Sequence, residues 1–206
     1  GLQHARTAED GFERSQPLYS EASRMINALL EINPADTEAR AALALVQIRQ
    51  AAMLNAFGRP EDSLRAARLS EESYQQVLRE SPGHLTAING LGIVQGMISN
   101  ALGAMGRLSE SLAAARQSEL NYESYVRLNP AGGDGWSNVA AARERTSTRL
   151  RSLGRMSEGR EKLQSILEIE RSIKMSSSLA NRFARASAFA AFMAADEGQT
   201  EEAKVL

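Results

Sequence analysis

The chain of 206 residues has no cysteine. This excludes disulfides, thiol catalysis and cysteine-ligated zinc, and it fits a reducing cytoplasm, the compartment expected here. Histidine is nearly absent as well. His4 and His84 are the two present, and neither has a Ser/Asp or His/Glu set at triad or ligand spacing, so no metal or cofactor is expected. Neither charge sign is in excess, with 24 basic against 25 acidic residues. No basic surplus therefore recommends nucleic acid or an anionic membrane as a partner. No apolar run approaches the roughly 20 residues that span a bilayer.

Proline is scarce, and its placement is regular. Pro34, Pro82 and Pro130 stand 48 residues apart, and so do Gly58, Gly106 and Gly154. Prolines and glycines alternate every 24 residues without insertion or deletion. Proline disfavours helix in the residue before it, and glycine ends a helix in the left-handed conformation without steric cost. Each block of 24 residues then reads as one helix and one tight turn. A helices are predicted at 35–56, 83–104 and 132–152, and B helices at 60–80, 108–128 and 156–175.

The B helices carry one apolar stripe. Leu64, Ala67, Tyr74 and Leu78 align with Leu112, Ala115, Tyr122 and Val126, a packing face by its three- and four-residue spacing. The third B helix departs from it, with Leu163, Ile166, Leu167 and Ile173 as its apolar set. Small residues recur in register in three columns: Ser15, Ser63, Ser111 and Gly159; Ala22, Ser70 and Ser118; Ala51, Ser99 and Ser147. Small side chains at fixed places let helices approach closely.

A turn glycine, small residues at these offsets and a closing proline together resemble the tetratricopeptide repeat (TPR). That unit is 34 residues, and the present one is longer by seven residues, about two turns, in each helix. The 48-residue form resembles arrays in bacterial signalling and regulatory proteins. Trp136, early in an A helix, fits the resemblance. What it implies is an all-α, TPR-like α-solenoid of antiparallel helix pairs in a right-handed superhelix. It also implies a non-catalytic scaffold whose A helices line a concave groove for a protein or peptide segment.

The expected organisation is a tail or the end of a preceding helix over 1–12, then one repeat domain over 13–206. Its units are 35–82, 83–130 and 131–178, with a partial unit over 179–206. Before Pro34 a B helix is expected, with Ser15 as N-cap, Pro17 in the first turn, and Leu18, Ala22, Met25, Leu29 and Ile32 as its apolar face. After Lys174 the period loosens, Ser178 reads as a cap, and a shorter A helix over 179–195 presents Phe183, Phe189, Phe192 and Met193. That face needs a following helix, so the natural protein is expected to continue past Leu206.

Other motifs carry less. "GLGIVQG" (Gly90 to Gly96) lies inside a predicted helix, not between a strand and a helix, so it reads as close backbone approach and not as a dinucleotide loop. "NPAGGDGW" (Asn129 to Trp136) lacks the Lys-Ser/Thr of a phosphate loop and reads as a turn capped by Asp134. Arg59, Arg107 and Arg155, each after a turn glycine, are expected to face the carbonyl end of the helix they leave. The segment Ala141–Arg155 is the most basic in the chain. Groove positions one turn apart on the A helices are Ile48, Ala52 and Asn55; Gly96, Asn100 and Gly103; Glu144, Thr148 and Arg151. Of these, Asn55, Asn100, Glu144, Thr148 and Arg151 are the candidate peptide-binding residues. Amides can hold a peptide backbone, and Arg can clamp a carboxylate of an acidic or C-terminal segment. Two competing readings stand beside this one. One is a self-association or spacer module, and the other an enzyme with facing carboxylates inside the superhelix.

Overall fold

The computed structural model describes residues 2–130 and 135–172, together with residue 188. Seven helices follow in order: α1 (Leu2–Ile32), α2 (Thr37–Ala56), α3 (Pro60–Glu80), α4 (Leu85–Ala104), α5 (Leu108–Leu128), α6 (Gly135–Ser152) and α7 (Met156–Ser172). No strand occurs among the described residues, and no described helix is long and apolar enough to cross a membrane. The chain forms an all-α helical repeat. It divides into two compact units, residues 1–107 and 108–206. The expectations for residues 173–206 and the cap at Asp134 lie outside the described residues.

The punctuation explains the element bounds. Gly58, Gly106 and Gly154 have φ of +69°, +74° and +75°, the left-handed conformation that glycine adopts cheaply. Each closes the same cap. Gly58 N–H donates to Asn55 O (3.1 Å) and Arg59 N–H to Leu54 O (2.9 Å), and the bonds from Gly106 and Arg107, and from Gly154 and Arg155, repeat the pattern. This paired arrangement satisfies carbonyls that a helix end would otherwise leave bare. The helices after Pro34 and Pro82 begin with a side-chain cap: Asp36 accepts from Ala39 N (2.8 Å) and His84 Nδ1 from Ala87 N (3.3 Å). Capping is thus the role of His84, whose Nε2 stands 3.2 Å from Glu38.

Packing follows the predicted columns, with one addition. Ser63, Ser70 and Ser147 are fully buried, and their hydroxyls bond across helix pairs as well as saving space. Ser63 Oγ donates to Ala51 O and Ser70 Oγ to Ala44 O, both at 2.8 Å and both from α3 to α2. In the pair α6/α7 the direction reverses: Ser147 Oγ on α6 donates to Gly159 O on α7 at 2.8 Å. Tyr74 (2% exposed) and Tyr122 are core residues, and burial raises the pKa of the Tyr74 phenol. Gly90 explains part of the glycine-rich motif, because a Cβ there would run into the ring of Tyr74, 2.8 Å from its hydroxyl oxygen. In α7, Gly159, Leu163 and Ile166 are buried, the columns of Ser63, Ala67 and Ser70 on α3, with Ile169 buried as well, so the third B helix turns largely the same columns inward; the side chains of Leu167 and Ile173 lie outside the described residues.

The N-terminal expectation changes. No cap forms at Ser15. Helix α1 runs through Gly11 and Pro17 without a break, because Gly11 is followed by Phe12 and not by the Gly-Arg pair that makes the other turns. Pro17 in a helix interior removes one backbone donor. The apolar stripe of α1 is also not a packing face in the structure: Leu18, Met25, Leu29 and Ile32 are exposed.

Gly90→Ala should lower the unfolding free energy by about 2 kcal/mol, the cost of overpacking against a ring that cannot withdraw. Gly83→Ala, with nothing within 4 Å of the new methyl, should shift it by less than about 0.5 kcal/mol. Urea denaturation followed by circular dichroism measures both.

Candidate functional site

The exposed faces of the A helices were the sequence's choice for a site. In the first unit, α2 and α4 pack against one another as well as against α3. Asn55 on α2 and Asn100 on α4 are exposed, while Ala52 and Gly103 are half-buried. Ile48 (3% exposed) and Gly96 are buried and cannot line a surface. The face that α2 offers is Leu45, Arg49, Ala52 and Asn55; on α4 it is Ile93, Met97, Asn100 and Gly103, the same columns 48 residues on. Leu45 is 46% exposed. The sequence reading missed Leu45, Arg49, Ile93 and Met97. A shift of one residue from the buried column would have found them.

In the second unit the corresponding face of α6 holds Arg145, Thr148 and Arg151. Thr148 is exposed, with its hydroxyl donating to Glu144 O (3.0 Å), and Glu144 and Arg151 are half-buried. The basic segment is therefore not one ridge. Arg149 is half-buried, and burial lowers its pKa. Arg155 Nε and Nη2 donate to the two Glu158 oxygens at 2.5 Å each, and that hydrogen bonding holds the Glu158 carboxyl below the usual range. Arg59 likewise pairs with Asp62. Arg59 and Arg155 thus send their side chains forward to an acid three residues on, while the backbone N–H groups of all three arginines close the helix end behind them. The sequence carried the signal in "GRPED", "GRLSE" and "GRMSE", where an acid recurs three residues after each arginine.

Between B helices the units leave grooves floored by an A helix. In the first unit a space of about 260 Å³ is lined by Gln16, Gln50, Leu54, Arg59, Asp62, Arg65, Ala66 and Leu69. In the second, a larger one of about 610 Å³ lies between α5 and α7. The two occupy the same register. Asp62, Arg65, Ala66 and Leu69 correspond to Glu158, Glu161, Lys162 and Ser165, 96 residues later.

At the floor of the larger groove sits a charge cluster. Glu119 on α5 is 6% exposed. Its Oε1 accepts from Arg143 Nε on α6 (3.1 Å) and Lys162 Nζ on α7 (2.9 Å), and its Oε2 from Thr146 Oγ1 (3.4 Å). Arg143 also donates to Glu123 Oε1 (2.9 Å) and Ser165 O (2.8 Å). One guanidinium thus ties three helices. The first unit has the same contact without the cation, where Gln95 donates to Glu71. Glu71 and Glu119, and Gln95 and Arg143, are 48 residues apart. Two carboxylates do meet in this groove, as the enzyme reading requires. Arg143 pairs with both, and Lys162 also pairs with Glu119. Among the described residues no group of three or more His, Asp or Glu could hold a metal ion.

No protein-family model matches the sequence, and no curated protein matches it. A solved structure does: the nearly identical TPR-like repeats of a Podosopora anserina protein described as a kinesin light chain. The superposition has a TM-score of 0.58 at 16% identity and covers 98% of this chain and 89% of that one. The likeness is one of fold, a TPR-like helical repeat.

Arg143→Met should cost about 2 kcal/mol of unfolding free energy, since it takes the cation from Glu123 and leaves Glu119 with Lys162 alone in a partly desolvated groove. Glu71→Gln, which leaves Gln95 an amide oxygen to donate to, should cost less than about 1 kcal/mol. Equal losses in chemical denaturation would show that the charge of Arg143 is immaterial.

Proposed function

We propose that the chain is a non-catalytic protein-interaction module, part of a larger regulatory or signalling protein, that holds an extended peptide on the exposed faces of its A helices. The observation that carries this reading is the composition of the face shared by α2 and α4. Leu45, Ile93 and Met97 supply apolar contact, and Asn55 and Asn100, at the C-terminal ends of the two helices, supply exposed amides. An extended peptide needs both. Its side chains want apolar pockets, and its backbone N–H and C=O groups want partners that donate and accept together, as a carboxamide does. On α6 the same columns present Arg145, Thr148 and Arg151, a chemistry suited to a carboxylate. The first unit by itself thus suits a peptide with apolar side chains, and the second by itself an acidic residue or a free C-terminus. The charges on the B-helix side fit the reading too, because they are largely consumed in internal pairs.

Selection from a random peptide library displayed with free C-termini, followed by calorimetry on the best binder, tests the proposal. Asn100→Ala should weaken binding about tenfold and Arg151→Glu by at least as much, at unchanged helicity. Unchanged affinity in both variants would overturn it.

A further inference from the structure

Most arginines of the first unit are engaged within it. Arg40 bonds a backbone carbonyl, Arg59, Arg65 and Arg68 each pair with a carboxylate, and Arg79 bonds the Gln76 amide. Arg49 on α2 differs. It is exposed, and it has no hydrogen bond or ion pair among the described residues. The sequence around it explains why. The partners of a helical arginine stand three or four residues away, and those positions hold Leu45, Val46, Ala52 and Met53. The acid of α2 is Glu38, about three turns off. The neighbouring A helix, α4, carries no charged residue at all.

The surroundings of Arg49 are the face already assigned to a peptide. Leu45, 46% exposed, lies one turn before it on α2. Met97 takes the column of Arg49 on α4, and Ile93 takes that of Leu45. Among Leu45, Arg49, Ala52, Asn55, Ile93, Met97, Asn100 and Gly103, Arg49 is the one charge. A guanidinium beside apolar side chains is half of an ion pair. A carboxylate can meet it through two parallel bonds, and the low dielectric of the apolar neighbours makes that pair stronger than one in open water. A basic side chain would be repelled there and would find no acid on α4.

We propose that Arg49 selects the peptide of the first unit by pairing with an acidic side chain inside the segment, two places from an apolar residue that rests on Leu45. This builds on the reading of the A-helix face as a peptide site. The spacing along α2 gives the motif. Arg49 and Leu45 are four residues apart, about 6 Å along the helix. In an extended peptide, alternate side chains point the same way and stand about 6.5 Å apart. One can therefore meet the guanidinium while the next on that side meets Leu45. Asn55 lies six residues beyond Arg49, about 9 Å, a distance that about three extended residues cover. Arg49 is thus the middle of the row, with an apolar contact on one side and an amide on the other. A terminal carboxylate would end the segment at Arg49 and leave one of those two contacts empty, so the acid is a side chain.

Random peptides displayed as N-terminal fusions, none with a free C-terminus, are selected on the full chain and on its Arg49→Glu variant. The wild-type chain should return an acid with an apolar residue two places away. The variant should return lysine or arginine where the acid stood. In calorimetry the best wild-type peptide should bind R49E at least about tenfold more weakly, and the same peptide with lysine for its acid should bind R49E within about threefold of the original pair. Arg49 is exposed and unbonded, so circular dichroism should not change. A peptide that binds R49E as well as the wild-type chain, or a charge swap that restores nothing, would overturn the role of Arg49; if Asn100→Ala still weakens that peptide, the site itself stands. Failure to select any peptide would overturn both.

Discussion

The left-handed glycine is the constraint on which the repeat rests. At Gly58, Gly106 and Gly154 the chain takes a positive φ, and the two backbone bonds that follow close the helix end. The turn is therefore the same three times. At Gly58 and Gly154 the positions seven residues before and five after the glycine then occupy matching places, and at Ser63/Ala51 and Ser147/Gly159 a hydroxyl bridges them. Only a turn of fixed length and hand keeps a hydroxyl within 2.8 Å of a carbonyl on the neighbouring helix. Proline does the complementary work at the other end of each pair, stopping the B helix and leaving Asp36 or His84 to cap the next.

Most of the helical frame was legible, because its punctuation is local. Gly-Arg and Pro mark chain ends of helices wherever they occur, and α3 and α5 begin and end where their residues predicted. Which way a helix faces is less local. Ile48 was read as groove and is core, while its neighbour Arg49 is surface, since one residue is 100° of rotation and only the packing of α2 on its neighbours decides it. The stripe on α1 shows the same limit differently. A row of Leu, Met and Ile reads alike whether a helix covers it or not. At Gly11 the glycine was present, but the Arg and the acid that accompany it elsewhere were not, and the helix continued.

The candidate site was legible in type and not in detail. Amides on A helices followed from the resemblance to TPR repeats, and their apolar neighbours did not. The buried charge cluster was readable in principle, since Glu71 and Glu119 share a column and Gln95 and Arg143 share the column 24 residues on. Read along the chain, Arg143 is one of five arginines in a basic segment. Read across repeats, it is the charged member of a polar column, and its partners follow. Repeat proteins are built from nearest-neighbour contacts, so residues one period apart inform each other more than residues adjacent in sequence.

The reversal of the serine bond between α2/α3 and α6/α7 has an implication for how such a chain can change. Ser63 donates a hydrogen bond from the B helix to the A helix, and Ser147 donates one from the A helix to the B helix. Opposite each hydroxyl stands alanine or glycine, whose backbone carbonyl is there regardless of side chain. The donor therefore need not stay on one helix, since either side of the turn can supply the hydroxyl to a backbone carbonyl on the other. A polar contact inside the core is then free to drift, while the backbone geometry that receives it stays still.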